Sequence, residues 1–241
     1  MLRSVVALVF LAVSIAVLSP VALLLGTLAG HPRPMHRLAR WIMSNTLRLA
    51  GVRVEVAGLE KLGADPKNTL IVANHASHLD PPAVYVGLGV DIQALAKNDV
   101  FRVPLMGAVL RRAGCVPIER GDKRRSSAAI DALAAALEGG GTVMVFPEGT
   151  RSPDGSLQPF KRGVFVAAIA AGSRVVPVAL EGTYALLPRH RRSIRPGTVK
   201  ITVLDPVAAQ DYSYDQREGL ADLVRGRIAA GLAAAKGADV A

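Results

Sequence analysis

The sequence predicts an α/β fold: one sandwich domain with a central mostly parallel or mixed sheet flanked by helices, preceded by an N-terminal membrane-associating helical segment. Two patterns carry that expectation. From Val52 onward, short β-branched runs alternate with stretches of helical periodicity, as in an α/β domain whose loops collect at strand ends. Ahead of them, VVALVFLAVSIAVLSPVALLLGTLA, residues 5–29, holds no charged residue. The 241 residues suffice for one such domain and an appendage. The expected division is residues 1–50 as membrane anchor, an apolar helix plus an amphipathic helix, and residues 51–241 as the globular domain.

The apolar run outlasts a signal-peptide core of about 7–15 residues and reaches the roughly 20 that a spanning helix needs. Pro20 either kinks one helix or divides two shorter ones, so spanning and one-leaflet insertion both fit. Arg33, Arg37, Arg40 and Arg48 follow the run, against Arg3 and the amino terminus before it. The positive-inside bias then puts the main domain on the cytoplasmic face of the cell membrane. Within HPRPMHRLARWIMSNTLRLAG, Leu38, Trp41, Ile42, Asn45 and Leu49 recur at helical spacing with arginines interleaved. That pattern predicts an interfacial amphipathic helix with Trp41 among lipid headgroups, although an ordinary core-facing helix shares it.

Six strands follow, in VRVEV, TLIVAN, CVPI, TVMVF, RVVPVAL and VKITVL. Helices are expected at 82–88, 104–113, 123–138 and 163–171, with a long one over 215–236. Gly139-Gly-Gly141 ends a helix and is not a phosphate loop, because no Gly-Lys-Ser/Thr follows. Apolar residues make up 51% of the chain and aromatics 4%, so Ala, Val, Leu and Ile must build the core. The net charge of +10 calls for an acidic partner. A chain with one Trp and five Phe lacks the stacking platforms of a nucleic-acid binder and shows no recognition helix, which leaves a bilayer containing anionic lipid or a solvated basic surface. The lone Cys115 permits no disulfide within the chain, fits a reducing compartment, and reads as a buried small hydrophobe.

Chemistry concentrates in two stretches. NHASHLD, residues 74–80, places two histidines and an aspartate where a strand stops. A metal site would need carboxylates from elsewhere, because the other histidines are His31 and His36 beside the apolar run and His190 in a basic loop; no metal is expected. Asp80 before Pro81-Pro82 fits a helix N-cap. From that position it can also fold back to His75, fix its tautomer and leave the other ring nitrogen free to take a proton. The second stretch, TVMVFPEGTRSPDG, reads as a buried strand breaking at Pro147. Its Arg151, with nearby backbone N–H groups and the Thr150 hydroxyl, suits a phosphate monoester, while a solvated hairpin-like loop would look the same.

Together these stretches resemble the glycerolipid acyltransferases, the family typified by the 1-acyl-sn-glycerol-3-phosphate acyltransferases. Asn74, His75 and Asp80 match the first block, Asn-His, four variable residues and Asp. Residues 146–152, FPEGTRS, match the third without a change, GCVPIER (114–120) resembles the second, and VVPVAL (175–180) the fourth. Pro117 stands where many members carry an aromatic residue. The likeness covers roughly residues 70–180 and includes FKRGVFVAAIAAG.

The resemblance implies transfer of a fatty acyl group from a thioester to the sn-2 hydroxyl of 1-acyl-sn-glycerol 3-phosphate, giving phosphatidic acid. His75 would be the base and Asp80 its orienting carboxylate. Arg120 and Arg151 would hold the acceptor's phosphate, with Glu148, Gly149 and Thr150 shaping the cradle. No cofactor is implied; acyl-CoA or acyl-acyl carrier protein would be the co-substrate and a lysophospholipid the acceptor. Rival readings keep the chemistry on glycerol 3-phosphate, another lysophospholipid or a lyso-ornithine lipid, make the chain a membrane-tethered lipid-binding scaffold, or make it a metal-dependent hydrolase. His78, at a variable position of the block, reads as a local polar residue. Arg189, Arg191, Arg192 and Arg195 form a basic loop suited to lipid headgroups or the donor's phosphates, or simply to solvent.

Overall fold

The computed structural model describes residues 1–118 and 123–238, and for 123–126 and 236–238 the backbone alone. An apolar helix α1 (Leu2–Leu28) turns into the amphipathic α2 (Arg33–Ala50). There follow β1 (Val52–Ala57), β2 (Thr69–Ala73), α3 (Asp80–Leu88), β3 (Gln93–Lys97), α4 (Asn98–Phe101), α5 (Met106–Arg112), β4 (Val116–Ile118), α6 (Lys123–Glu138), β5 (Thr142–Val145), α7 (Gly163–Ala170), β6 (Arg174–Glu181), α8 (Thr183–Leu186), β7 (Gly197–Val203), β8 (Val207–Ala208) and α9 (Arg217–Ala238). The strands form one mixed sheet in the order β1-β7-β6-β2-β5-β3-β4, with β8 also on β6. Pairing is parallel except where β6 meets β7 and β8.

The central strands TLIVA and TVMV are buried throughout, because helices cover both faces and leave no solvent side on which polar residues could alternate. The two-residue pleat divides them: Ile71, Ala73 and Met144 pack toward Ala83, Val84 and Leu88 of α3, whereas Leu70, Val72, Val143 and Val145 pack toward α6, α7 and α9 around the fully buried Phe165. The six expected strands are present. β3 and β8 were missed because QALAK holds no β-branched residue and β8 is only two residues long.

The first 50 residues do not stand off from the domain. α1 runs unbroken through Pro20, and by length and composition it could cross a membrane. Both its ends are held: Ser4 Oγ donates to the Ile194 carbonyl (3.2 Å) and accepts from the Ile194 amide (2.9 Å), and the Gly26 carbonyl accepts from Arg112 Nη2 (3.0 Å). A helix about 40 Å long thus lies along one flank. Ser4, Ala7, Ser14, Ser19, Ala22 and Gly26 face inward, while Val5, Leu8, Val9, Val13, Val17, Val21, Leu24 and Leu28 are exposed. α2 combines both expected characters, burying Met35, Ile42, Leu47 and Ala50 against the fold while Trp41 stays half exposed beside Phe10.

Candidate active site

β2 and β5 are parallel neighbours, so the loops after Ala73 and Val145 leave the same edge of the sheet and meet, the usual place for a site in an α/β sheet. The Asn74 side chain ties the first loop to β6, its Nδ2 donating to the Leu180 carbonyl (2.9 Å) and its Oδ1 accepting from the Leu180 amide (2.7 Å). His75 is then gripped from four sides. Its amide donates to Glu148 Oε1 (2.5 Å) and its carbonyl accepts from the Ser152 amide (2.7 Å). Its ring stacks on Phe146, centroids 4.3 Å apart at 22°, and its Nδ1 lies 2.7 Å from Asp80 Oδ2. A carboxylate only accepts, so Nδ1 carries the proton and Nε2 presents a lone pair.

Asp80 is not the N-cap. Leu79 holds that position and Asp80 opens α3. With Asp80 as cap, one candidate donor, Pro82, has no N–H, and the other, the Ala83 amide, already bonds the Leu79 carbonyl (3.0 Å). The carboxylate turns back instead, and Oδ2 accepts from the amides of Ala76 and Ser77, each at 2.7 Å, as well as from His75. Ser77 Oγ donates to the Leu187 carbonyl (2.8 Å), which joins this loop to the basic segment that follows.

Glu148, grouped by the resemblance with the phosphate cradle, points inward. It is 5% exposed, and its two oxygens accept from the amides of His75 and Gln158. Burial, with the Asp80 charge adding, pushes its carboxyl up to about 7 against the pull of those amides. Gly149 turns the chain at φ +73, where a Cβ would meet the Lys161 side chain at 2.8 Å. Thr150 is exposed.

Arg151 is half buried and makes no hydrogen bond or ion pair among the described residues. Burial and the neighbouring Arg189 charge lower its pKa, while Asp80 acts the other way. Burial and Arg151 likewise push down the His78 imidazole. Arg151 and Arg189 therefore form a patch of positive potential beside the His75–Asp80 pair, and His78 borders it with its neutral form favoured. Arg120 lies outside the described residues. Sequence reasoning had isolated the basic loop but not the placement of Arg189 near Arg151, which depends on a tertiary contact. Cys115 is free and largely buried, its Sγ accepting from the Ala94 amide (3.4 Å), and burial raises its pKa. Among the described residues no three His, Cys, Asp or Glu side chains converge as metal ligands.

A carboxylate-oriented histidine on one strand-end loop, with the unpaired Arg151 on the next and Arg189 nearby, makes an arrangement chemically suited to proton transfer beside a bound anion. The chain belongs to the acyltransferase family, whose model, described as Acyltransferase, matches residues 53–181. It is 30% identical to a chloroplastic 1-acyl-sn-glycerol-3-phosphate acyltransferase of Brassica napus over 80% of this chain and 59% of that protein. It is 36% identical to a Chlamydomonas reinhardtii protein of the same description over 69% of this chain and 52% of the relative. It is 30% identical to the alpha form of Mus musculus over 78% and 67%. The chain thus spans between half and three-fifths of the length of those plant and algal relatives. The crystal structure of the 1-acyl-sn-glycerophosphate acyltransferase PlsC from Thermotoga maritima superposes with a TM-score of 0.82 at 25% identity, covering 98% of this chain and 97% of that one.

Proposed function

We propose that this chain acylates the free sn-2 hydroxyl of 1-acyl-sn-glycerol 3-phosphate from an acyl thioester, giving phosphatidic acid. The observation that carries the proposal is the His75–Asp80 hydrogen bond of 2.7 Å beside the unpaired Arg151. Relatives described as 1-acyl-sn-glycerol-3-phosphate acyltransferases support the choice of acceptor.

In this mechanism His75 Nε2 takes the hydroxyl proton as the oxygen attacks the thioester carbonyl, and Asp80 stabilises the imidazolium that forms. The tetrahedral intermediate collapses with cleavage of the C–S bond, and the proton passes from His75 to the departing thiolate. Arg151 holds the acceptor's phosphate, with Arg189 adding its field. Glu148 acts from beneath, fixing the His75 backbone. Acyl-CoA and acyl-acyl carrier protein are both acidic and both suit the basic 189–195 loop.

The exposed apolar row of α1, on a helix held at both ends, supports insertion into one leaflet, and the arginines that follow it, Arg33, Arg37, Arg40 and Arg48, support the cytoplasmic face. A lysophospholipid then reaches the site without leaving the bilayer, where extraction would cost about 0.8 kcal/mol per CH₂.

The test is to incubate membranes holding the wild type or His75→Ala with lysophosphatidic acid and labelled acyl-CoA or acyl-acyl carrier protein. Labelled phosphatidic acid from the wild type alone is expected. Product from the variant would remove His75 as base, and product only with another lysolipid or with glycerol 3-phosphate would change the acceptor.

A further inference from the structure

A second cationic cluster lies at the opposite end of the sheet. A cavity of about 330 Å³ opens there between α2 and the strand beginnings, lined by Arg33, Arg37 and Arg40 with Asp65, Asp91 and Thr142. Thr142 starts β5, whose far end leads to Arg151, so this cavity is separate from the catalytic one. The three arginines stand at i, i+4 and i+7 and share one face of α2. Arg40 is anchored, its Nη2 on Asp91 Oδ1 at 3.1 Å and its guanidinium over the Tyr85 ring at 5.8 Å. Its Nε is buried with no partner among the described residues. Arg33 and Arg37 are exposed and bond no described residue. Asp91 is engaged by Arg40, so Asp65 is the carboxylate left to oppose them.

We infer that this cavity binds the phosphate of an anionic glycerophospholipid. Lipid is favoured over free phosphate by what adjoins it. α1 ends at Leu28, residues 29–32 make the turn, and Arg33 begins α2, so the arginines start where the exposed row ending in Leu24, Leu25 and Leu28 stops. A lipid with its phosphate on Arg33 and Arg37 can lay its acyl chains along that row. The volume is at the small end of the usual range of about 300–1,000 Å³, enough for a headgroup with the chains outside. This site is independent of the acceptor site, and its test does not require turnover.

The full-length protein in neutral detergent would be titrated with short-chain phosphatidylglycerol, with phosphatidylcholine of the same chain length, and with inorganic phosphate. Phosphatidylglycerol is expected to bind well ahead of the other two. Arg33→Gln with Arg37→Gln should weaken it about thirtyfold, near fivefold for each arginine at ~1 kcal/mol. The charge-matched pair Arg48→Gln with Arg53→Gln, both exposed and outside the cavity, should weaken it less than twofold. Asp65→Asn should tighten it. Equal losses in the two pairs would reduce the effect to diffuse surface charge and overturn the site, as would phosphatidylcholine binding as well as phosphatidylglycerol. Inorganic phosphate competing on equal terms with the lipid would make it a free-phosphate site and overturn the lipid assignment.

Discussion

The two loops that meet above β2 and β5 are both tied down, Glu148 and Ser152 bonding the His75 backbone, but they present their polar side chains in opposite ways. In the first, Asn74, His75, Ser77 and Asp80 are each tied by side-chain or main-chain bonds of 2.5–2.9 Å. In the second, Arg151 makes no bond to a described residue, and neither does the Arg189 side chain nearby. In the proposed mechanism the group that moves a proton is thus fixed before substrate arrives, which would lower the reorganisation needed in the transition state. The groups proposed to receive an anion keep their donors free. Leaving them unpaired costs little, because Arg151 is only half buried and Arg189 is hydrated.

That contrast predicts where substitutions act. The largest effect belongs to the fixed loop: His75→Ala should lower kcat by about 10³-fold or more while the protein still folds, with a lower Tm because the buried Asp80 loses one donor. A modest loss in a single-turnover assay would sink the assignment of His75 as base.

Glu148 comes next, because it tests the clamp rather than the base. Its folded pKa of about 7 exceeds the ordinary 4.5. Its protonated form is therefore favoured by folding, and the associated stability is complete below pH 4.5 and lost as pH rises through 7. Thermal melts from pH 4.5 to 8 should show the wild type losing on the order of 3 kcal/mol relative to Glu148→Gln. A constant difference would mean that the carboxylate is ionised throughout.

Smaller effects belong to the free cations. Arg151→Lys should raise the acceptor's KM about tenfold and leave kcat close to wild type, since an ammonium replaces the charge but not the bidentate fork. Arg189→Gln should raise it only a few fold, and a change confined to the donor's KM would move Arg189 to the other substrate. The ordering of these effects is itself informative: arginine variants that lost kcat rather than KM would erase the difference between the two loops.

Much of this was legible in the chain. The β-branched runs marked the buried strands, and the first and third blocks marked the loops that β2 and β5 bring together. What escaped depended on tertiary contacts. Glu148 looked like part of an anion cradle, and its inward turn follows from two amides that only the folded chain aligns. Asp80 had every local mark of an N-cap, yet three donors in residues 75–77 outcompete the helix amides. Periodicity described α1 as uniformly apolar. It could not show that the helix sorts its residues by size, small ones inward and large ones outward.

That sorting bears on purification. Gly26 sits where a Cβ would come within 2.6 Å of Met35 Sδ, and Met35, Leu47 and Ala50 are buried where α1 and α2 close on the domain. Cutting away the first helix to obtain a detergent-free protein would uncover part of this seam and trade one greasy surface for another. Replacing outward residues such as Val9, Val13 and Val17 with polar ones leaves the seam intact and is the better route to a soluble form.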